Sequence, residues 1–98
     1  MFGVSAYFPR AQVLISGERR TYRRGSDAGR GIECYFCPTC GSTVAWTAEV
    51  FPQSIGVAVG CFADPSFGAP QRAVWTRHKH DWVSFPPEMP QFPSQAAP

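Results

Sequence analysis

No run of apolar residues in this 98-residue sequence approaches the ~18 that a membrane-spanning helix needs, so no membrane span is expected. No secretory leader is expected either. The stretch Phe2 to Phe8 is apolar, but no cationic segment precedes it and Pro9-Arg10 ends it early. Charge of one sign is scarce: nine Lys+Arg stand against seven Asp+Glu, a net charge of +2 that is too mild to imply a polyanionic partner. Segments free of breakers are missing too, because nine Gly and ten Pro punctuate the chain too often for long helices. No internal repeat is visible. Two independent cores are excluded by length.

What is present suits one small folded domain. Hydrophobic residues at 44% and charged residues at only 16% argue against disorder, and 14% aromatics supply bulk for a core. A chain this short buries only roughly 60–65% of its unfolded surface, so a metal, a disulfide or a partner would help it. A cytoplasmic location is the expectation. In a reducing compartment, clustered cysteines read as metal ligands or redox groups rather than disulfides.

Period-two patterning points to a mainly β, antiparallel domain of short strands. Strands are expected at 2–8, 12–16, 19–24, 32–36, 43–47, 54–61 and 72–76. In the strand over 54–61, Ile55, Val57, Val59 and Cys61 share one face. Ser54, Gly56, Ala58 and Gly60 share the other, and that small-residue face predicts close approach by another backbone or an aromatic ring. Ser26 to Gly31 reads as a loop. Residues 83–98 hold five Pro and no Gly, and read as an extended tail following a domain over 1–82.

Six of the eight arginines fall between Arg10 and Arg30, densest in Glu18-Arg19-Arg20-Thr21-Tyr22-Arg23-Arg24. Such a patch can contact phosphates. A solvated hairpin edge explains it as well, since charge discourages edge-to-edge pairing. With no recognisable nucleic-acid motif alongside, nucleic acid is not the expected partner.

The sharpest chemical signal is Cys37-Pro38-Thr39-Cys40-Gly41. Two Cys at this spacing place both sulfurs on one side of a tight turn. Pro38 pre-sets the backbone and Gly41 permits positive φ. That arrangement is half of a tetrahedral zinc site. Two alternatives stand beside it: inert packing, and a thioredoxin-like redox pair. The redox pair needs a helix after the motif, whereas Gly41 to Thr47 is strand-like.

Zinc wants four ligands, and no second C-x-x-C exists. Cys34 lies an odd offset before Cys37, on the Ile32/Phe36 face, and reads as core packing. Cys61 reads the same way beside Ile55, Val57 and Val59. His78 and His80 form an H-x-H pair that would share one side of a strand and is capable of binding metal. Arg77 and Lys79 flank them and oppose a dication, so an exposed basic segment is the competing reading.

Taken together, the motifs resemble the glutathione-dependent formaldehyde-activating enzyme family, also called the centromere-protein-V-like domain family. The resemblance runs over residues 1–93. It is carried by Ile15-Ser16-Gly17-Glu18 with Tyr22, Phe36 to Ser42, Val57 to Pro65, Pro70 before Val74-Trp75, Trp82, and Pro90-Gln91-Phe92. It implies a zinc-knit antiparallel assembly, a β-tent. It implies Cys37 and Cys40 as ligands of a structural zinc that an upstream C-x-C pair completes. A further upstream cluster, C-x-C-x-x-C, would hold a catalytic zinc.

The implied activity is carbon–sulfur lyase chemistry, the reversible addition of glutathione thiolate to formaldehyde. A glutathione adduct or another small thiol is the implied substrate. Met1 to Val4 matches the strand after the catalytic cluster, so the resemblance implies a member incomplete at its N-terminus. No residue present carries over as catalytic, and no turnover is expected of this chain. The competing expectation is a non-catalytic zinc-binding β module, with the missing ligands from His78 and His80 or from a second copy in a homodimer.

Overall fold

A computed structural model describes residues 3–26 and 29–94. Met1, Phe2, Asp27, Ala28 and 95–98 lie outside the described residues, and with them parts of the first expected strand, of the Ser26–Gly31 loop and of the C-terminal segment.

The domain is mainly β, as the patterning predicts. Five antiparallel strands form one sheet: β1 (Ser5–Pro9), β2 (Arg20–Gly25), β3 (Gly31–Phe36), β4 (Thr43–Ala48) and β5 (Phe51–Ala58), in the order β1-β5-β4-β3-β2. Strands β2 to β5 make a meander, and β1 adds to its far edge. Among the described residues the only helical pieces are three short 3-10 turns, at Arg10–Gln12, Val59–Cys61 and Thr76–His78. Gly and Pro leave no room for more.

The register explains the small-residue face of β5. Tyr7 pairs with Gly56, Gly56 with Trp46, Trp46 with Cys34, and Cys34 with Tyr22, so these side chains share one face of the sheet. A Cβ built on Gly56 would meet Trp46 Nε1, which is why the strand carries glycine there. The indole lies across the bare backbone. Its Nε1 donates to the Tyr7 hydroxyl at 3.3 Å, and the two rings meet edge-on at 6.5 Å. On the opposite face Ala45 pairs with Val57, and Phe8 with Ile55. Ala45 and Ile55 are buried there.

The basic run forms β2, one edge of the sheet, and every residue of it is exposed. Arg23 is paired with Glu49 at 2.7 Å and reaches Glu33 at 3.8 Å. Both pairs are exposed and are worth little to stability.

Three expectations are corrected. Residues 12–16 are not a strand. After Pro9 the chain makes the Arg10–Gln12 turn, with Val13 N–H donating to Arg10 O at 3.3 Å, and then runs extended without pairing to the sheet. The strand expected over 54–61 runs from Phe51 to Ala58, which pairs with the first residue of β1, Ser5, and then gives way to the Val59–Cys61 turn. Residues 72–76 make only an isolated parallel bridge, Ala73 with Gln91.

Residues 83–94 carry no strand or helix, yet they close against 73–77. Ala73 N–H donates to Pro90 O, Phe92 N–H to Ala73 O, Trp75 N–H to Ser94 O and Thr76 N–H to Phe92 O, at 2.9 to 3.1 Å. Val83 is buried. Trp75 takes the left-handed conformation at φ +56, the only non-glycine residue with positive φ among the described residues. In the preceding loop Asp64 accepts from the Ser66 hydroxyl at 2.6 Å and from its backbone N–H at 2.9 Å, bonds that hold its carboxyl below the usual carboxylate range.

Candidate functional site

The hairpin connection between β3 and β4 carries the cysteine turn. Cys37 follows β3 directly, Pro38 to Cys40 form the turn, and β4 begins at Thr43. Two backbone bonds close the loop: Cys37 N–H donates to Ser42 O, and Gly41 N–H to Cys37 O, both at 2.9 Å. Gly41 sits at φ +80, a conformation that costs a side-chain-bearing residue roughly 1–2 kcal/mol. The turn chemistry read from Pro38 and Gly41 is therefore what the backbone adopts.

Both thiols are free of disulfides. Cys37 is half-buried and Cys40 exposed. Sγ of Cys40 lies 3.3 Å from the Ser42 hydroxyl. Hydrogen bonds from that hydroxyl, then from the Ser42 backbone and the Cys37 side chain, hold the Cys40 thiol below the usual thiol range. Because β4 follows the motif, the helix N-terminus that tunes a redox pair is missing. The thiolate character at Cys40 comes instead from local hydrogen bonds.

The remaining metal-capable residues are dispersed. Cys34 lies in the Trp46 and Tyr22 row, half-buried on the face opposite buried Ala45 and Ile55, rather than in the core that its apolar neighbours in sequence suggest. Cys61 is not on the apolar face of β5 but exposed in the Val59–Cys61 turn, its Sγ 3.9 Å from Thr43 O. His78 and His80 share no strand face. His78 ends the Thr76–His78 turn and stacks on Trp75 at 6.3 Å; His80 stacks on Trp82 at 5.8 Å. Tight backbone bonds at Thr76 to Lys79 and at His80 to Val83 curl this segment, which breaks the alternation that a strand would have given the pair.

The chemistry of two thiols on one turn suits zinc; their number does not. Among the described residues no three His, Cys, Asp or Glu side chains gather where they could hold a metal ion. The site offers two donors where a structural zinc takes four.

A cleft of about 590 Å³ opens beside the turn, with Cys37 in its wall. Its lining is largely apolar, including Phe8, Val13, Ile15, Phe36 and Phe62, while Glu18 and Arg19 supply charge. The Arg19 guanidinium lies over the Tyr35 ring at 5.2 Å. One wall is residues 12–16, read from sequence as a strand and found as a flap over the sheet face that carries Ala45 and Val57. The cleft was not foreseen. Its one signal was Val13-Leu14-Ile15, three consecutive apolar residues where a half-exposed strand should alternate.

A model of the family described as glutathione-dependent formaldehyde-activating enzyme matches residues 1–78, a span that takes in all five strands, the cysteine turn and the cleft. No curated protein matches the chain.

Proposed function

The chain belongs to the glutathione-dependent formaldehyde-activating enzyme family, and on that premise we propose that it is a thiol-binding β domain whose cysteine turn is a zinc knuckle. The observation that carries this reading is the position of Cys37, which belongs at once to the turn and to the cleft wall. In this reading Cys37 and Cys40 contribute the protein's thiolates to the metal. The cleft receives a small thiol of the glutathione class, as free thiol or as its formaldehyde adduct. Its apolar walls exclude water, while Arg19 and Glu18 offer partners for the carboxylate and amino ends of such a peptide.

The same reading holds that this chain alone does not accelerate carbon–sulfur bond formation. No cluster of three metal-capable side chains exists among the described residues to build a catalytic centre beside the knuckle.

Two experiments test the proposal. Titration of the reduced protein with glutathione, followed by amide NMR shifts, should perturb Val13, Ile15, Phe36, Cys37 and Phe62. Perturbation confined to other regions, or none at millimolar thiol, overturns the cleft assignment. Adduct formation between glutathione and formaldehyde should run at the uncatalysed rate with the zinc-loaded chain, and a rate enhancement that Cys37→Ser abolishes would contradict the second part.

A further inference from the structure

We infer that the free edge of β2 is a docking strand for an extended acidic segment of a partner protein, which adds to the five-stranded sheet as one more strand. The cysteine turn and the cleft play no part in it. β2 ends the strand order, and all of its residues are exposed. Its pairing with β3 runs from Arg20 and Phe36 to Gly25 and Gly31 without a register shift, so no bulge turns this edge aside.

The hydrogen-bond phase of the hairpin identifies the backbone groups left over. Ser26 N–H donates to Arg30 O at 3.0 Å, which makes Ser26 and Arg30 a hydrogen-bonded pair. Stepping back by two, Arg24, Tyr22 and Arg20 turn their N–H and C=O groups toward β3. The bond from Glu49 N–H to Gly31 O at 3.1 Å has the same phase on the far side of β3. Thr21, Arg23 and Gly25 therefore turn theirs outward. Gly25 O accepts from the Arg24 guanidinium at 3.3 Å; the rest meet no partner strand among the described residues. Such a row is a template for a further strand.

Charge selects the occupant. The opposite edge strand, β1, ends in Pro9, and proline blunts an edge. β2 contains no proline and is guarded by arginine alone, which repels a second copy of itself but attracts a strand of opposite sign. Arg23 is already engaged by Glu33 and Glu49 on one face. Arg20 and Arg24 flank Tyr22 on the other face, where the register partners are Phe36, Cys34 and Ile32. Among the described residues neither guanidinium has a carboxylate partner.

An antiparallel strand docked on Thr21, Arg23 and Gly25 meets Arg20, Tyr22 and Arg24 at the non-hydrogen-bonded positions, where side chains come closest. The matching segment is an acid, an aromatic or β-branched residue and a second acid at alternate positions. Each planar guanidinium can take a carboxylate through two bonds, and Tyr22, 61% exposed, gains an apolar neighbour. A nucleic acid would meet the same arginines, but it has no backbone that repeats the alternation of donors and acceptors along this edge.

The probe is a fluorescein-labelled peptide centred on Glu-Val-Phe-Val-Glu, titrated into the full 98-residue chain. Its controls are the same residues with the alternation scrambled, a Lys-Val-Phe-Val-Lys version, and a single-stranded DNA oligonucleotide. The acidic alternating peptide should bind about tenfold or more tightly than any control, and it should protect the Thr21 and Arg23 amides from hydrogen exchange. Thr21→Pro removes an outward N–H while sparing the bonds to β3, and should weaken binding about tenfold. Arg20→Glu with Arg24→Glu, at exposed positions, should reverse the preference in favour of the lysine peptide. Circular dichroism checks that both variants keep the sheet.

Equal affinity for the scrambled peptide, binding that leaves the Thr21 and Arg23 amides unprotected, or an unreversed preference in the double-glutamate variant overturns the inference. No binding at millimolar peptide makes β2 a solvated edge only. Tighter binding of the oligonucleotide assigns the edge to nucleic acid and overturns it equally.

Discussion

The turn at Cys37 to Cys40 joins two strands of the sheet, whereas the turn at Thr76–His78 hangs on a segment whose only ladder contact among the described residues is the Ala73 and Gln91 bridge. The first turn carries two metal-capable side chains; the second carries His78, with His80 two residues further on. In the first, β3 and β4 fix both ends, Gly41 takes the positive φ that the loop requires, and both sulfurs come within reach of each other. In the second, the backbone curls and each imidazole lies against a different indole. Ligand spacing in a sequence therefore means little by itself. It means something where the flanking residues also dictate a backbone that holds the donors together.

The largest expected contrast is in metal binding. Cys37→Ser with Cys40→Ser should abolish zinc uptake, and His78→Ala with His80→Ala should leave it unchanged. Zinc lost from the histidine variant, measured by elemental analysis, would erase the distinction between the turns. Next comes the sheet that supports the first turn. Gly56→Val drives a side chain into the Trp46 indole and should cost about 3 kcal/mol, read from the urea midpoint at constant slope. A loss below about 1 kcal/mol would mean that Trp46 yields more easily than its hydrogen bond to Tyr7 suggests.

Gly41→Ala tests the turn itself. No atom crowds the new Cβ, so the whole cost is the positive φ, about 1 kcal/mol. By contrast Trp82→Ala, in the aromatic segment, removes a ring that is 73% exposed and stacked on one imidazole. It should cost about 0.5 kcal/mol or less. Equal effects at Gly41 and Trp82 would show that the two segments are held with similar strength.

The smallest effect is one of reactivity. The thiolate is the nucleophile, so a lowered pKa makes Cys40 alkylate faster at neutral pH than a cysteine in an unfolded peptide. Ser42→Ala removes the largest cause of that lowering. It should move the midpoint of the alkylation profile to higher pH, as followed by mass-resolved iodoacetamide labelling of metal-stripped protein. An unmoved midpoint would assign the effect to the backbone and the Cys37 side chain.

The elements legible in the sequence are those in which two signals agreed. Strands β3 and β4 combine alternation with a turn motif between them. β5 combines it with a run of small residues, whose meaning as a seat for an aromatic ring is met by Gly56 and Trp46. The cysteine turn was legible for the same reason, since Pro38 and Gly41 both demand the backbone it has. Residues 12–16 and 72–76 had only apolar or β-branched composition behind them. Whether such a stretch joins a ladder depends on a partner strand, and that is a property of the fold as a whole. The cleft was illegible because it lies between segments remote in sequence, Phe8, residues 12–19, Tyr35 to Cys37 and Phe62, and no local pattern records that meeting.

The strand order carries a consequence for how the domain is made. Three of the four pairings join consecutive strands and close by short connections, but β1 pairs only with β5, the last strand of the sheet. Closing that long loop costs chain entropy that no local contact repays, which places the β1–β5 ladder late in folding. On the ribosome the penalty is greater. Residues 5–9 emerge before the other four strands and must wait, with Tyr7 and Phe8 uncovered, until β5 has been synthesised. Through that interval the N-terminal strand is an unpaired edge, open to the wrong neighbour before the right one exists.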